Sequence, residues 1–86
     1  MHFVKDAKYI GGYSVQLTFE DGSVGIADLE QHLDGEVFEP FKTAENFKRF
    51  RVNQDTDTIE WENGADMSPD FLYEIAEPVR RSLSAA

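Results

Sequence analysis

No cysteine occurs among the 86 residues of this sequence, and bases, prolines and long apolar runs are scarce. Without cysteine, neither a disulfide nor a thiolate zinc site can stabilise the chain, so its stability must come from packing. No apolar run approaches the roughly 20 residues that cross a bilayer, and the N-terminus lacks the apolar segment of a signal peptide. We therefore expect one small cytoplasmic domain with no membrane contact.

Positive charge is also scarce. Eight Lys and Arg stand against 17 Asp and Glu, which gives a formal net charge of −9, and residues 9–41 and 52–79 contain no Lys or Arg. Proteins that bind a phosphate backbone need a basic surface to release its counterions, so direct binding of nucleic acid is not expected. The acidic exterior instead favours solubility or a basic protein partner.

Aromatic residues are abundant, with seven Phe, three Tyr and one Trp. Between residues 13 and 19, apolar side chains alternate with polar ones, which is typical of a half-buried strand. Residues 3–10 have the composition of an edge strand, and Asp21-Gly22 predicts a hairpin into a third strand at residues 23–27. These three strands are therefore predicted to form an antiparallel β-meander.

Two short helices and a second hairpin are predicted after the meander. The first helix covers residues 44–50, with Ala44 on its buried face, and residues 52–61 have the pattern of a hairpin. Ser68-Pro69 is a typical helix start, because the serine hydroxyl can cap the helix and proline suits its first position. The predicted fold class is α+β, with the helices packed on the meander and the second hairpin.

The predicted domain covers residues 1–80, and residues 81–86 are expected to form a frayed tail. Some apolar residues lie in the connector before the first helix or continue the apolar pattern of the second helix into the tail. They either close the core of the domain or, where the core cannot hold them, form an interface with a partner. These candidate interface residues are Phe38, Phe41, Val79 and Leu83.

Two pairs of carboxylates are candidates for acid–base catalysis. Glu60 and Glu62 are expected on the outer face of a strand, and Asp66 and Asp70 stand four residues apart near a helix start. Catalytic pairs need environments that separate their pKa values, whereas exposed positions do not. The two histidines lie far apart in the sequence without a pattern of metal ligands. No catalytic residue, metal site or cofactor is therefore expected.

A short run of Asn and Asp residues resembles the start of a calcium-binding loop. It consists of Asn53, Asp55 and Asp57, but Thr58 stands where the loop needs Gly and Gly64 where it needs Glu. Asn and Asp side chains also bond to their own backbone in turns. A hairpin loop is therefore the expected role of this run.

One set of residues resembles a known family. It comprises Asp21-Gly22 after a strand, Asp28-Leu29, Leu33, Val37-Phe38-x-Pro40-Phe41, Phe47 and the segment Trp61-x-Asn63-Gly64-Ala65-Asp66-Met67-Ser68-Pro69-Asp70-x-Leu72-Tyr73. This pattern resembles the bacterial proteins called domain of unknown function 2442, over nearly all of residues 1–80. The motif residues are expected to be structural: Trp61 fills the core, Asn63-Gly64 forms a turn and Leu72 packs back onto the sheet.

The resemblance implies a small α+β domain without an agreed activity. Such domains are often encoded beside a second small protein, in gene pairs that resemble toxin–antitoxin modules. Some relatives carry an additional helix-turn-helix domain, for which this chain leaves no room, so DNA binding in cis is not expected.

The preferred hypothesis is a protein-interaction module, the antitoxin-like or regulatory half of a pair. Its expected partner is a second copy of the chain, giving a homodimer, or a basic protein encoded by a neighbouring gene. The alternative is an enzyme that binds a small molecule or metal at a homodimer interface, with Trp61, Asp66 and Asp70 as candidates. A third hypothesis is an accessory role with nucleic acid through the basic cluster of Lys42, Lys48, Arg49 and Arg51.

Overall fold

The computed structural model describes residues 2–79 and contains an antiparallel sheet, a separate hairpin and short helices. The predicted α+β class is confirmed. The strands are β1 (Val4–Gly11), β2 (Ser14–Phe19), β3 (Val24–Asp28), β4 (Arg51–Asn53), β5 (Thr58–Glu60) and β6 (Glu77–Pro78). The α-helices are α1 (Ala44–Phe47) and α2 (Pro69–Ile75), and 3₁₀ helices cover Glu30–His32 and Glu36–Lys42. The predicted tail, residues 81–86 with Leu83, lies outside the described residues.

The meander forms as predicted from the alternation. In β2, Val15, Leu17 and Phe19 are buried, while the polar residues between them lie on the other face. β2 pairs antiparallel with β1 on one side and with β3 on the other. The β2–β3 connection is the tight turn at Asp21-Gly22, and Gly22 has a positive φ of 89° that favours glycine.

A fourth strand, β6, completes the sheet in the order β1-β2-β3-β6, and the sequence pattern did not predict it. Glu77 pairs with Ile26, and the Val79 N–H donates to the Val24 carbonyl at 2.9 Å. The prediction that Val79 continues the apolar face of the second helix is therefore wrong. The helix stops at Ile75 because the residue before a proline favours an extended backbone, and Pro78 supplies that proline.

The first helix is shorter than predicted. It covers the four residues of α1, and Ala44 is exposed, so the prediction that Ala44 faces the core is wrong. Thr43 makes no side-chain capping bond, and so short a segment gains little from its own helical bonds. In α2, by contrast, the Ser68 hydroxyl accepts a hydrogen bond from the Phe71 N–H at 3.5 Å, as predicted. No helix within residues 2–79 is long and apolar enough to cross a bilayer.

The centre of the core is an aromatic cluster around Trp61, whose side chain is 1% exposed. Its indole N–H donates to the Phe47 carbonyl at 2.8 Å, so the one polar atom of the ring is satisfied. Four phenylalanine rings have their centroids 5.5 to 6.2 Å from the Trp61 ring. They belong to Phe38, Phe41, Phe47 and Phe50.

Two of the candidate interface residues therefore contribute to the core. Phe41 is 4% exposed, so its side chain is not accessible to a partner, and the half-buried Phe38 ring packs edge-on against Trp61. Among residues 2–79, the large apolar side chains that remain strongly exposed are Ile10, Val37 and Val79, at 43–46%. Of the four residues proposed from sequence, Val79 is the described one that a partner could reach freely.

Candidate functional site

Four side chains meet where α2 approaches the β2–β3 turn, and we call them the Tyr73 cluster: His2, Asp21, Asp70 and Tyr73. The His2 and Tyr73 rings are stacked, with 3.6 Å between their centroids and 11° between their planes. The His2 backbone N–H donates to Asp70 Oδ1 at 3.0 Å, and the Tyr73 hydroxyl donates to Asp21 Oδ2 at 3.2 Å. The cluster therefore joins the N-terminus, the turn and α2.

The turn itself fixes the Asp21 carboxylate. Asp21 Oδ1 accepts hydrogen bonds from the Ser23 N–H at 2.9 Å and from the Ser23 hydroxyl at 2.6 Å. These bonds from the side chain and backbone of Ser23 are the main reason that the pKa of Asp21 is lowered, and the Tyr73 hydroxyl and His2 lower it further. Asp21 therefore stays ionised over the whole neutral and mildly acidic range.

The lowered pKa of Asp21 predicts a pH dependence of folding. A carboxyl group whose pKa is lower in the folded state stabilises the fold above its unfolded pKa, about 3.9, and loses that effect as the pH falls through its folded pKa. We expect the urea midpoint of the wild-type protein to fall more between about pH 6 and pH 2.5 than that of Asp21→Asn. If the urea midpoints of the two proteins fall by the same amount across this pH range, the lowered pKa of Asp21 would be contradicted.

The cluster lacks the geometry of nucleophilic catalysis. The Ser23 hydroxyl donates to a carboxylate, whereas a nucleophilic serine needs a base such as histidine to accept its proton. The His2 Nδ1 atom lies 3.5 Å from Asp70 Oδ1, so this histidine pairs with the Asp70 carboxylate. The arrangement can tether chain segments and present carboxylates to cations, and it contains no activated nucleophile.

A small cleft adjoins the cluster between α2, β3 and β6. Its volume is about 120 Å³, whereas sites for small molecules and cofactors usually occupy about 300–1,000 Å³. The cleft is lined by Phe19, Ser23, Val24, Gly25, Tyr73, Ala76 and Pro78. Its size suits a single side chain of a partner and not a cofactor.

The residues after Trp61 build a turn. Asn63 Oδ1 accepts from the Ala65 N–H at 3.0 Å, and its Nδ2 donates to the Val37 carbonyl at 3.0 Å. Gly64 has a φ of 89° and donates its N–H to the Trp61 carbonyl at 2.9 Å. The exposed Asp66 forms a backbone bridge with Glu60. This turn directs the chain into α2, where Ser68 and Pro69 begin the helix.

Leu72 is fully buried and fixes α2 against the core. The carboxylate of Asp70, two residues earlier, is exposed and is the one that meets His2. Of the motif residues quoted from the sequence, Asp21, Asp70 and Tyr73 thus belong to the Tyr73 cluster, and Gly22 adjoins it. Trp61 lies in the core.

The structure does not bring together the three candidates of the enzyme hypothesis. The Trp61 ring is interior, Asp66 is on the surface of the turn, and Asp70 bonds to His2. None of the three lines the main cavities of the described residues.

The sequence predicts an outward-facing carboxylate at Glu60, but the structure largely covers this side chain. Its side chain is 14% exposed and accepts hydrogen bonds from Asn53 Nδ2 and from Arg51 Nη2, each at 2.9 Å. These bonds, first that from Asn53 and then that from Arg51, lower the pKa of Glu60. A general acid at neutral pH needs the opposite shift, so Glu60 acts as the partner of a cation on β4.

Most of the basic cluster is paired with acids. Lys42 Nζ lies 2.9 Å from Glu39, and Lys48 Nζ lies 3.5 Å from Glu45. Arg51 is held by Glu60, as described above. Within residues 2–79, Arg49 is the member of the cluster that has no ion pair. A cluster whose charges are largely matched by carboxylates offers little positive field to a phosphate backbone.

The run of Asn and Asp residues at the β4–β5 turn forms a hairpin loop, as predicted. The Asp55 N–H donates to Asn53 Oδ1 at 2.8 Å, and the Asp57 N–H donates to the Asn53 carbonyl at 2.7 Å. The Asp57 carbonyl accepts from the Val4 N–H at 2.9 Å, which ties the loop to the start of β1. Across the described part of the chain, no group of three or more His, Cys, Asp or Glu is arranged to hold a metal ion.

A family model matches the segment of the sequence that forms the meander, the aromatic turn and α2. The model of the family described as Protein of unknown function (DUF2442) matches residues 4–78, which include every strand and helix of the structure. The chain belongs to this family. The family resemblance proposed from sequence is thereby confirmed.

Solved structures add a likeness in fold for this DUF2442 chain. The crystal structure of the "Putative DNA Binding Protein NE0471" from Nitrosomonas europaea superposes with a TM-score of 0.77 at 19% identity. The match covers 88% of this chain and 49% of that protein, so the chain spans about half of its length. At this identity the likeness concerns the fold alone. Among curated proteins, no match was found.

Proposed function

We propose that this DUF2442 domain is a protein-interaction module, the antitoxin-like or regulatory half of a pair, and that its partner is a basic protein. The observation that carries the proposal is the charge of its exterior. Where α2 meets the β2–β3 turn, Glu20 and Glu74 are both exposed, and neither has a cationic partner among the described residues. Such a surface attracts a positively charged protein and speeds their encounter.

The α2 end of the domain is the proposed contact. We call it the α2 acidic face, and it consists of Glu20, Asp21, Asp70 and Glu74, all exposed. The Tyr73 cluster holds two of these carboxylates in fixed positions, so a partner does not have to order them. The cleft beside Tyr73 adds an apolar recess next to the fixed charges, which suits an anchoring side chain.

Binding without catalysis is part of this proposal. The described cavity at the cluster is small, and the lowered pKa values of Asp21 and Glu60 keep both groups ionised at neutral pH. The name of NE0471 raises DNA binding as another function. We do not propose it for this chain, because its basic cluster is mostly paired and its net charge is −9.

Co-purification tests the proposal, with the product of the neighbouring gene as the first candidate partner. We expect wild-type protein to capture it at micromolar concentration and modest salt, and Glu20→Lys/Glu74→Lys to weaken binding at least about tenfold. Both substitutions leave the bonds of the Tyr73 cluster intact. High salt screens the charges of both proteins, so it should weaken the wild-type complex as well.

The matched control is Asp34→Lys/Glu36→Lys, which changes the net charge equally at exposed positions outside the α2 acidic face. It should retain most of the binding if the α2 acidic face is the contact. Equal loss in both double variants would instead mean unspecific attraction. Absence of any complex with the wild-type protein would contradict the proposed partner.

A further inference from the structure

The sheet has a second face, which we call the outer face, and no described helix or hairpin covers it. The core takes the inward residues of β2 and β3, whereas Val24 and Ile26 point the other way and are not part of it. Val79, beside Val24, is 43% exposed. An open concavity of about 540 Å³ lies at this edge, so the face is neither flat nor purely polar.

The register aligns residues of the outer face in rows across the four strands. One row runs Lys8, Gln16, Ile26, Glu77 from β1 to β6. Its two charges have opposite sign and stand on opposite edges of the sheet. Because three strand spacings of about 4.8 Å separate those edges, Lys8 and Glu77 cannot pair within one chain.

The edges of the sheet are poor sites for strand addition. β6 has two residues, and one is Pro78, which has no N–H to offer a new strand. At the other edge, β1 has two register irregularities, and the N–H of Val4 is already bonded to Asp57. Such edges resist pairing with another chain. Association through this sheet therefore has to use side chains of its face.

We propose that the outer face binds a second copy of this chain, face to face around a two-fold axis parallel to the strands. Rotation about that axis places each β1 against the partner's β6 and each β2 against the partner's β3. Lys8 of one protomer therefore meets the partner's Glu77, and Ile26 meets the partner's Gln16. In the next row Val24 meets the partner's Thr18, and at the rim Asp6 lies opposite the partner's Val79. The charge pair occurs twice by symmetry, which fixes both the register and the orientation.

The area available sets the strength of this dimer. A stable interface buries about 800 Å² per partner, and a face of four short strands offers less than that. We therefore expect a dissociation constant on the order of 10–100 µM. The proposal goes beyond the interaction with a basic protein, which uses the α2 acidic face, and either can fail without the other.

Sedimentation equilibrium from about 5 to 500 µM, in modest salt, tests the dimer. The weight-average mass should rise from the 9.8 kDa of one chain towards twice that value. Lys8→Glu and Glu77→Lys should each weaken dimerisation at least about tenfold, and the double reversal Lys8→Glu/Glu77→Lys should restore it. Arg49→Glu and Glu62→Lys carry the same charge changes off the sheet and should dimerise like the wild-type protein.

Each variant should remain folded, because both positions are exposed, and circular dichroism checks this. A wild-type chain that stays monomeric up to 500 µM overturns the proposal. A dimer that does not respond to the two single reversals, or that the double reversal fails to restore, also overturns it, because it would use another surface. Capture of a basic partner by a monomeric chain would leave the proposed function standing and this inference refuted.

Discussion

Trp61→Ala is expected to leave the isolated domain largely unfolded at 25 °C. Removing a buried tryptophan side chain costs about 3–5 kcal/mol through lost burial and the cavity left behind. Because the indole N–H donates to the Phe47 carbonyl, the substitution also leaves that buried acceptor without its donor. Small domains have a free energy of unfolding at the lower end of about 5–15 kcal/mol, so the loss is comparable with the whole. Circular dichroism and amide NMR dispersion measure it.

Trp61→Phe is the informative control for this prediction. It keeps an aromatic ring among the four phenylalanines but removes the hydrogen bond to Phe47. We expect a folded protein whose free energy of unfolding is lower by about 1–3 kcal/mol. A well-folded Trp61→Ala variant with near-native stability would mean that the aromatic cluster does not organise the core as the structure indicates.

Gly25→Ala is expected to lower the free energy of unfolding by about 1–3 kcal/mol, although alanine normally suits a strand better than glycine. A Cβ atom at this position would lie 2.8 Å from the Ala76 Cβ and 3.2 Å from the Glu77 carbonyl oxygen. The contact with Ala76 is closer than real Cβ atoms approach one another, and the contact with the Glu77 backbone is tighter than most, so the end of α2 and β6 must shift away from β3. Urea denaturation measures the effect.

A second substitution distinguishes the steric contact with Ala76 from any other destabilising effect of alanine at position 25. Ala76→Gly removes the nearer of the two atoms, so Gly25→Ala/Ala76→Gly should recover part of the stability lost in Gly25→Ala. The double-mutant cycle should therefore show a favourable coupling of about 0.5–3 kcal/mol. Additive effects of the two changes would refute close packing between β3 and the end of α2.

Local patterns were sufficient to predict much of this fold. The alternation in β2, the Asp21-Gly22 turn and the Ser68-Pro69 helix start each act over a few residues, and the structure contains all three. β6 was missed because two residues carry no periodicity and because one of them is a proline, a residue that usually argues against a strand. It forms because the sheet offers β3 as an edge at the point where α2 ends.

The Tyr73 cluster could not be predicted in the same way. His2, Asp21, Asp70 and Tyr73 come from three distant parts of the chain, and each has an ordinary local role as a terminal, turn or helix residue. Only tertiary packing places the His2 ring on Tyr73. A weak signal was available: Asp21, Asp70 and Tyr73 all belong to the motif that resembles the family, and the Tyr73 hydroxyl donates to the Asp21 carboxylate.

Trp61 also gives the protein a built-in optical reporter. It is the one tryptophan of the sequence, and its indole is shielded on all sides by rings and by a peptide carbonyl. Its fluorescence therefore monitors the interior alone. The emission maximum should stay unchanged when a partner binds to the α2 acidic face or a second copy binds to the outer face. Unfolding, by contrast, shifts the maximum to the red. One spectrum recorded during any titration thus distinguishes assembly from loss of structure.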